Sequence, residues 1–143
     1  MCQLNDIGCK LATIDGINAI TDVTGFGLGG HLSEVCLGSN VAAVIDYNKV
    51  PILPNIKDYL ANGCSPGGAQ RNFDSYGHNL SPMSSEVQSI ICDPQTSGGL
   101  LIMVSSAAKN EFDQMMQNAG FELEAIGEIV KPDSKSALVQ INV

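Results

Sequence analysis

The chain is predicted to adopt an α+β fold with α/β layering, a mixed β-sheet with helices packed on it. Two observations predict this. Short apolar or alternating runs bounded by turn residues recur at 17–20, 41–45, 100–104, 125–130 and 139–143, and these read as strands. Between them, apolar residues fall at helical spacing, as in Leu28, Leu32, Val35 and Cys36. Strand-like and helix-like segments interleave, so helices must cover a sheet to bury either kind of apolar face.

Leu4, Ile7 and Leu11 share one helical face, and Asp15-Gly16 then signals a turn. This opening reads as the tail of a helix inside a longer polypeptide. Residues 17–20 make a short strand ending at Thr21-Asp22. The helix over 26–37 follows, with Gly38 as its stop. Residues 41–45 are continuously apolar, which suits a strand buried on both faces. Pro54 fits the first turn of a helix carrying Ile56, Tyr59 and Leu60, and Gly63 ends it. Residues 64–89 are rich in Gly, Ser, Asn and Pro and read as one long polar loop, anchored by Phe73, Tyr76 and Met83. A short apolar approach at 90–92 leads to Asp93-Pro94. Residues 100–104 form a buried strand, and Phe112, Met115, Met116 and Ala119 lie on a helix closed by Gly120. Two further strands are expected at 125–130 and 139–143, the latter alternating through Val139, Ile141 and Val143.

Composition bounds the function. The formal charge is −8, and the seven Lys and Arg residues are scattered, so the basic stripe that nucleic acid requires is missing. No purely apolar run exceeds five residues, too short to span a bilayer, and the start lacks the pattern of a signal peptide. Five cysteines form no CxxC pair and stand at no zinc-ligand spacing from His31 or His78. A reduced, cytoplasmic protein is expected. An acidic protein can still bind ATP, because a divalent cation bridges carboxylate to phosphate.

Three segments hold residues suited to chemistry. Thr21-Asp22-Val23-Thr24-Gly25-Phe26-Gly27 puts a carboxylate at a strand tip and Thr and Gly at a helix start, where free N–H groups favour an anion. The same residues also suit a plain helix cap. Pro66-Gly67-Gly68-Ala69-Gln70-Arg71-Asn72 is glycine-rich with one arginine, able to meet a phosphate or to pair an internal acid. It lacks the Lys-Ser/Thr ending of a Walker loop. Asp93-Pro94-Gln95-Thr96-Ser97-Gly98-Gly99 precedes a strand; its polar groups either line a site or satisfy loop backbone. His31 and His78 read as packed or solvated residues, and Cys64 and Cys92 have no neighbouring base that would make them nucleophiles.

Together, in this order and spacing, these segments resemble the C-terminal domain of bacterial selenophosphate synthetases, of the aminoimidazole ribonucleotide synthetase-like type. Asn72-Phe73-Asp74-Ser75-Tyr76-Gly77-His78 and the opening Met1-Cys2-Gln3-Leu4-Asn5 add to the likeness, which runs to about Val130. The resemblance implies one C-terminal domain over 1–143: a helix tail and linker at 1–16, a core at 17–130 and a C-terminal extension at 131–143. It implies an absent N-terminal domain holding the catalytic residues, so that none lie in this chain, and a homodimer when complete. The implied reaction turns ATP, selenide and water into selenophosphate, AMP and orthophosphate. Asp22 matches the family's Mg2+ ligand, and Thr24, Gly25, Arg71 and Asn72 are candidate nucleotide-binding residues. Two alternatives stay open: another ATP-dependent enzyme of the same architecture, such as a purine-pathway cyclo-ligase or a maturation factor, and a non-enzymatic interaction module. An interaction module would fold with no exposed apolar face, whereas half of an enzyme keeps one for its partner domain.

Overall fold

A computed structural model describes residues 4–143. The part of the opening motif at Met1, Cys2 and Gln3 lies outside the described residues. The element order is α1 (Ile7–Leu11), β1 (Ile17–Asp22), α2 (Gly27–Ser39), β2 (Ala42–Asp46), α3 (Ile56–Ala61), α4 (Gly67–Tyr76), α5 (Ser85–Ile91), β3 (Leu100–Val104), α6 (Lys109–Asn118), β4 (Gly127–Val130) and β5 (Val139–Asn142). Short 3-10 turns follow β2 and α4.

The α+β class holds, and its strands divide into two sheets. β1 and β3 form an antiparallel ribbon in which Asp22 pairs with Leu100. The second sheet runs β4-β2-β5; β2 is antiparallel to β4 and parallel to β5, so this sheet is mixed. The ribbon separates two apolar clusters because successive strand side chains point to opposite faces. Leu101 and Met103 join the main core with Leu32, Ile45 and Ile91. Ile102 and Val104 pack instead with Leu11, Ile14 and Met116 under α1 and α6.

Four expectations are corrected. Residues 64–89 are not a loop but contain α4 and α5. Two glycines in the first turn of α4 lower its intrinsic helix propensity by about 1 kcal/mol each relative to alanine, and tertiary packing overrides that. Ala69, Asn72 and Tyr76 form its buried face. Ser84 opens α5 by accepting a hydrogen bond from the Val87 N–H at 3.4 Å. Gly38 lies inside α2, and the stop is Asn40 at φ 52°, since asparagine tolerates the left-handed region. Pro54 lies outside α3, which Asn55 caps at φ 64°. The segment 131–143 is no appendage: β5 lies beside β2, and Val139 is fully buried. Residues 80–81, after α4, run beside β5, with Leu80 bridging Val139 and the Ser81 hydroxyl accepting from the Ile141 N–H at 2.9 Å.

Candidate functional site

The three motif segments, far apart in sequence, meet at one end of the β1–β3 ribbon. Val23 N–H donates to the Gly99 carbonyl at 2.9 Å, Gly98 N–H to Val23 at 3.0 Å and Gln95 N–H to Thr24 at 3.0 Å. The 93–99 turn thus continues the ladder past the strand ends. Its glycines allow the close approach: a Cβ on Gly98 would sit 2.7 Å from the Val23 carbonyl oxygen. Gly27 has φ +68°, and a Cβ there would meet the Asp93 carbonyl oxygen at 2.7 Å. The third segment, on α4, packs against this junction through Gly68, where a Cβ would come within 2.8 Å of Pro94.

Asn72 locks the three together. Its amide donates to the carbonyls of Gly25 and Cys92, each at 2.9 Å. One turn later on the same helix, the Tyr76 hydroxyl donates to the Phe26 carbonyl. Burial pushes the Tyr76 phenol well above its ordinary range. The Cys92 thiol is also raised, chiefly by burial, with the Tyr76 hydrogen bond opposing. Both groups are therefore neutral structural members of the junction.

Asp22 stands at the exposed end of β1, and Thr24 is half-buried just beyond it. The Thr24 hydroxyl lies 3.1 Å from His31 Nε2, and His31 Nδ1 is 3.4 Å from the Glu34 carboxylate. Gly25 is exposed, with open space where a side chain would be. Arg71 is exposed on α4, and among the described residues no carboxylate lies within ion-pair distance of it. Its pairing with an internal acid is thus not seen. Asp93 is half-buried and its carboxyl is raised, mainly by burial, although the Gln95 amide that donates to it opposes the shift.

Of the five sequence candidates, Thr24, Gly25 and Asn72 come together at the junction, and Asp22 stands beside them at the strand end. Arg71 is next to Asn72 in α4, on the solvent side. Asn72 has both amide protons committed to backbone, so it positions the turn. Tyr76, read in sequence as a loop anchor, Pro94, read as a turn residue, and His31, read as packed or solvated, all stand at the junction. Reading 67–76 as a helix would have put Tyr76 one turn from Asn72; nothing local marked His31 as a partner of Thr24.

Phe26, 51% exposed, presents an apolar ring beside the junction. Two hollows of about 340 and 190 Å3 lie between α1 and α6 and along the β2–β4 side, and no motif residue lines either. At the junction Asp22, Gly25, Phe26 and Arg71 are exposed. Among the described residues, no three His, Cys, Asp or Glu side chains gather as a metal site. Asp22 supplies one hard oxygen donor of the type magnesium takes, and further ligands would have to come from elsewhere.

An α+β domain with this backbone junction is the class of structure seen, and the chain belongs to the family described as AIR synthase related protein, C-terminal domain, whose model matches residues 3–140. Among its relatives it is 51% identical over 143 residues to selenide, water dikinase of Yersinia pseudotuberculosis serotype I (strain IP32953), covering 100% of this chain and 41% of that protein. It is 52% identical over 139 residues to selenide, water dikinase of Shewanella sp. (strain MR-4), covering 97% of this chain and 40% of that protein. The chain therefore spans about two-fifths of these relatives' length. A solved structure of thiamine-monophosphate kinase from Stenotrophomonas maltophilia K279a shares the fold at TM-score 0.60 and 16% identity, over 96% of this chain and 34% of that one.

Proposed function

We propose that this chain is the C-terminal domain of a selenide, water dikinase, an enzyme that forms selenophosphate, AMP and orthophosphate from ATP, selenide and water. The observation that carries the reading is identity at half of all positions, along the whole chain, with proteins bearing that name. The exposure of Asp22, Gly25 and Arg71 supports it, since groups facing solvent suit a domain that closes over a nucleotide held by another domain.

Within this reading, Asp22 is a ligand to magnesium, which when bound offsets the negative charge of the ATP phosphates. Phosphoryl transfer depends on positioning and charge neutralisation, so a rigidly mounted carboxylate is a sufficient contribution from this domain. The ladder through Val23, Gly98 and Gly99 supplies that mounting. The exposed Gly25 backbone and the Arg71 guanidinium can approach the phosphates, and Thr24 borders them. The N-terminal domain, the homodimer and the cytoplasmic location belong to the same proposal. No helix among the described residues is long and apolar enough to cross a membrane.

The test uses the longer polypeptide that carries this chain, with 31P NMR following selenophosphate and AMP. Selenide-dependent turnover is expected, and Asp22→Asn should lower kcat at least about a hundredfold, equivalent to about 2.7 kcal/mol of barrier. Stability should change by less than about 0.5 kcal/mol, because Asp22 is exposed. Near-normal activity in Asp22→Asn would remove Asp22 from the site; ATP turnover indifferent to selenide would overturn the dikinase reading.

A further inference from the structure

Tyr47 lies in the 3-10 turn after β2 and is packed into the main core at 6% exposure. Among the described residues its hydroxyl is the one buried side-chain polar atom without a hydrogen-bond partner. Burial, and after it the charge of Glu86 on α5, raise its phenol above the ordinary range, so at neutral pH it is a donor with nothing to donate to. Such a group penalises whichever state buries it. Over its ring lies Lys57 of α3, with Nζ 5.9 Å from the ring centroid and 3.6 Å from the Glu86 carboxylate. One ammonium thus ties α3 both to the ring and to α5.

The segment that carries Lys57 is thinly attached. Within 51–65 only Ile56 and Leu60 are even half-buried, and every other residue is exposed. Its backbone hydrogen bonds close on the segment itself: Tyr59 N–H donates to the Asn55 carbonyl at 3.1 Å, Gly63 N–H to Leu60 at 2.9 Å and Cys64 N–H to Tyr59 at 2.9 Å. Left-handed residues stand at both ends of α3, Asn55 at φ 64° and Gly63 at φ 76°, and open space surrounds the place of a Gly63 side chain. Beyond these ends the chain is fixed. Val50 packs against the core and its N–H donates to the Tyr47 carbonyl at 3.2 Å, and α4 is held by Asn72. A stretch with few buried apolar contacts between two fixed ends has the character of a unit that opens while the rest stays folded.

We propose that residues 51–65 form a strap over Tyr47, fastened by Lys57 and held near its opening point by the unpaired Tyr47 hydroxyl beneath it. In the shut state the hydroxyl is buried without a partner. When the strap lifts, water reaches the hydroxyl and the penalty is relieved, while α4 and Arg71 stay in place. The ion pair and the ring contact of Lys57 oppose lifting. The hydroxyl therefore works against the shut state, the reverse of the usual part of a buried polar group. This holds whether or not the dikinase reading does.

Hydrogen exchange of the 143-residue chain, followed by mass spectrometry on peptides across 51–65, tests the proposal. These peptides should exchange at least about a hundredfold faster than those across β2 and α5, with little dependence on low urea, since opening exposes little surface. Tyr47→Phe keeps the ring and removes the hydroxyl, and should slow exchange in 51–65 at least fivefold. Lys57→Gln should speed it at least twofold and leave β2 unchanged. Faster or equal exchange in Tyr47→Phe would mean that the hydroxyl is satisfied when the strap is shut, and would overturn the proposal. So would exchange in 51–65 that follows global unfolding, with the same urea dependence as β2. If Tyr47→Phe does not fold, the urea dependence of the natural chain and the exposed Lys57→Gln decide: a strap that ignores Lys57→Gln is not fastened there, and the proposal fails.

Discussion

Asn72 shows how one side chain ties distant segments. Its two amide protons satisfy two carbonyls from different loops, and at 9% exposure water cannot replace it. Truncation leaves both acceptors unsatisfied, each costing about 1–3 kcal/mol. Asn72→Ala should therefore destabilise the chain by roughly 2–4 kcal/mol in urea unfolding. A loss below about 0.5 kcal/mol, the range of ordinary surface changes, would show that the junction does not depend on it. Asp22 is the contrasting case, because its exposure separates activity from stability. The chemical types of both were readable in sequence. The bracing role of Asn72 was not: an amide that ties backbone and one that meets a ligand are distinguished only by what surrounds them.

At the scale of elements, α4 and β5 carry the lesson. α4 was hidden by composition, since Gly67, Gly68, Ser75 and Gly77 look like loop residues. It forms because Ala69 is buried and Asn72 and Tyr76 bond the carbonyls of Gly25, Cys92 and Phe26. β5 was legible as a strand from its alternation, but not as part of the core. Its place follows from a parallel partner, β2, nearly a hundred residues earlier, which no local pattern reports. Val139→Ala removes two buried methyl groups at the fully buried start of that pairing, opposite Ala43. It should cost about 2 kcal/mol by loss of transfer energy and a residual cavity. Denaturant midpoints measure this; an unchanged midpoint would mean that β5 contributes little to the core.

For the whole molecule, the buried thiols make stability sensitive to alkali. Cys36 and Cys92 are fully buried, and burial raises both above 9.0. The unfolded chain therefore loses these protons first, and between about pH 9 and the raised values the native state binds more protons. Stability is expected to fall as pH rises from about 9, by up to about 1.4 kcal/mol per pH unit for each thiol. The Tyr76 phenol adds to the fall at higher pH, since it too is raised by burial. Urea unfolding between pH 8 and 10.5 checks this, with Cys36→Ala and Cys92→Ala each flattening the slope. An identical slope in the double variant would exclude the thiols as its source. By itself the sequence determined the α+β class, the five strands, the helices α1, α2, α3 and α6, and the three segments whose residues suit chemistry. These depend on local periodicity, turn residues and motif spacing, which are properties of neighbours along the chain. Only the tertiary structure decided that the strands split into two sheets, that the polar middle is helical, and that His31 faces Thr24. Each of those outcomes depends on burial and hydrogen bonding between residues distant in sequence or hidden until the helix folds, and such partners are created by packing.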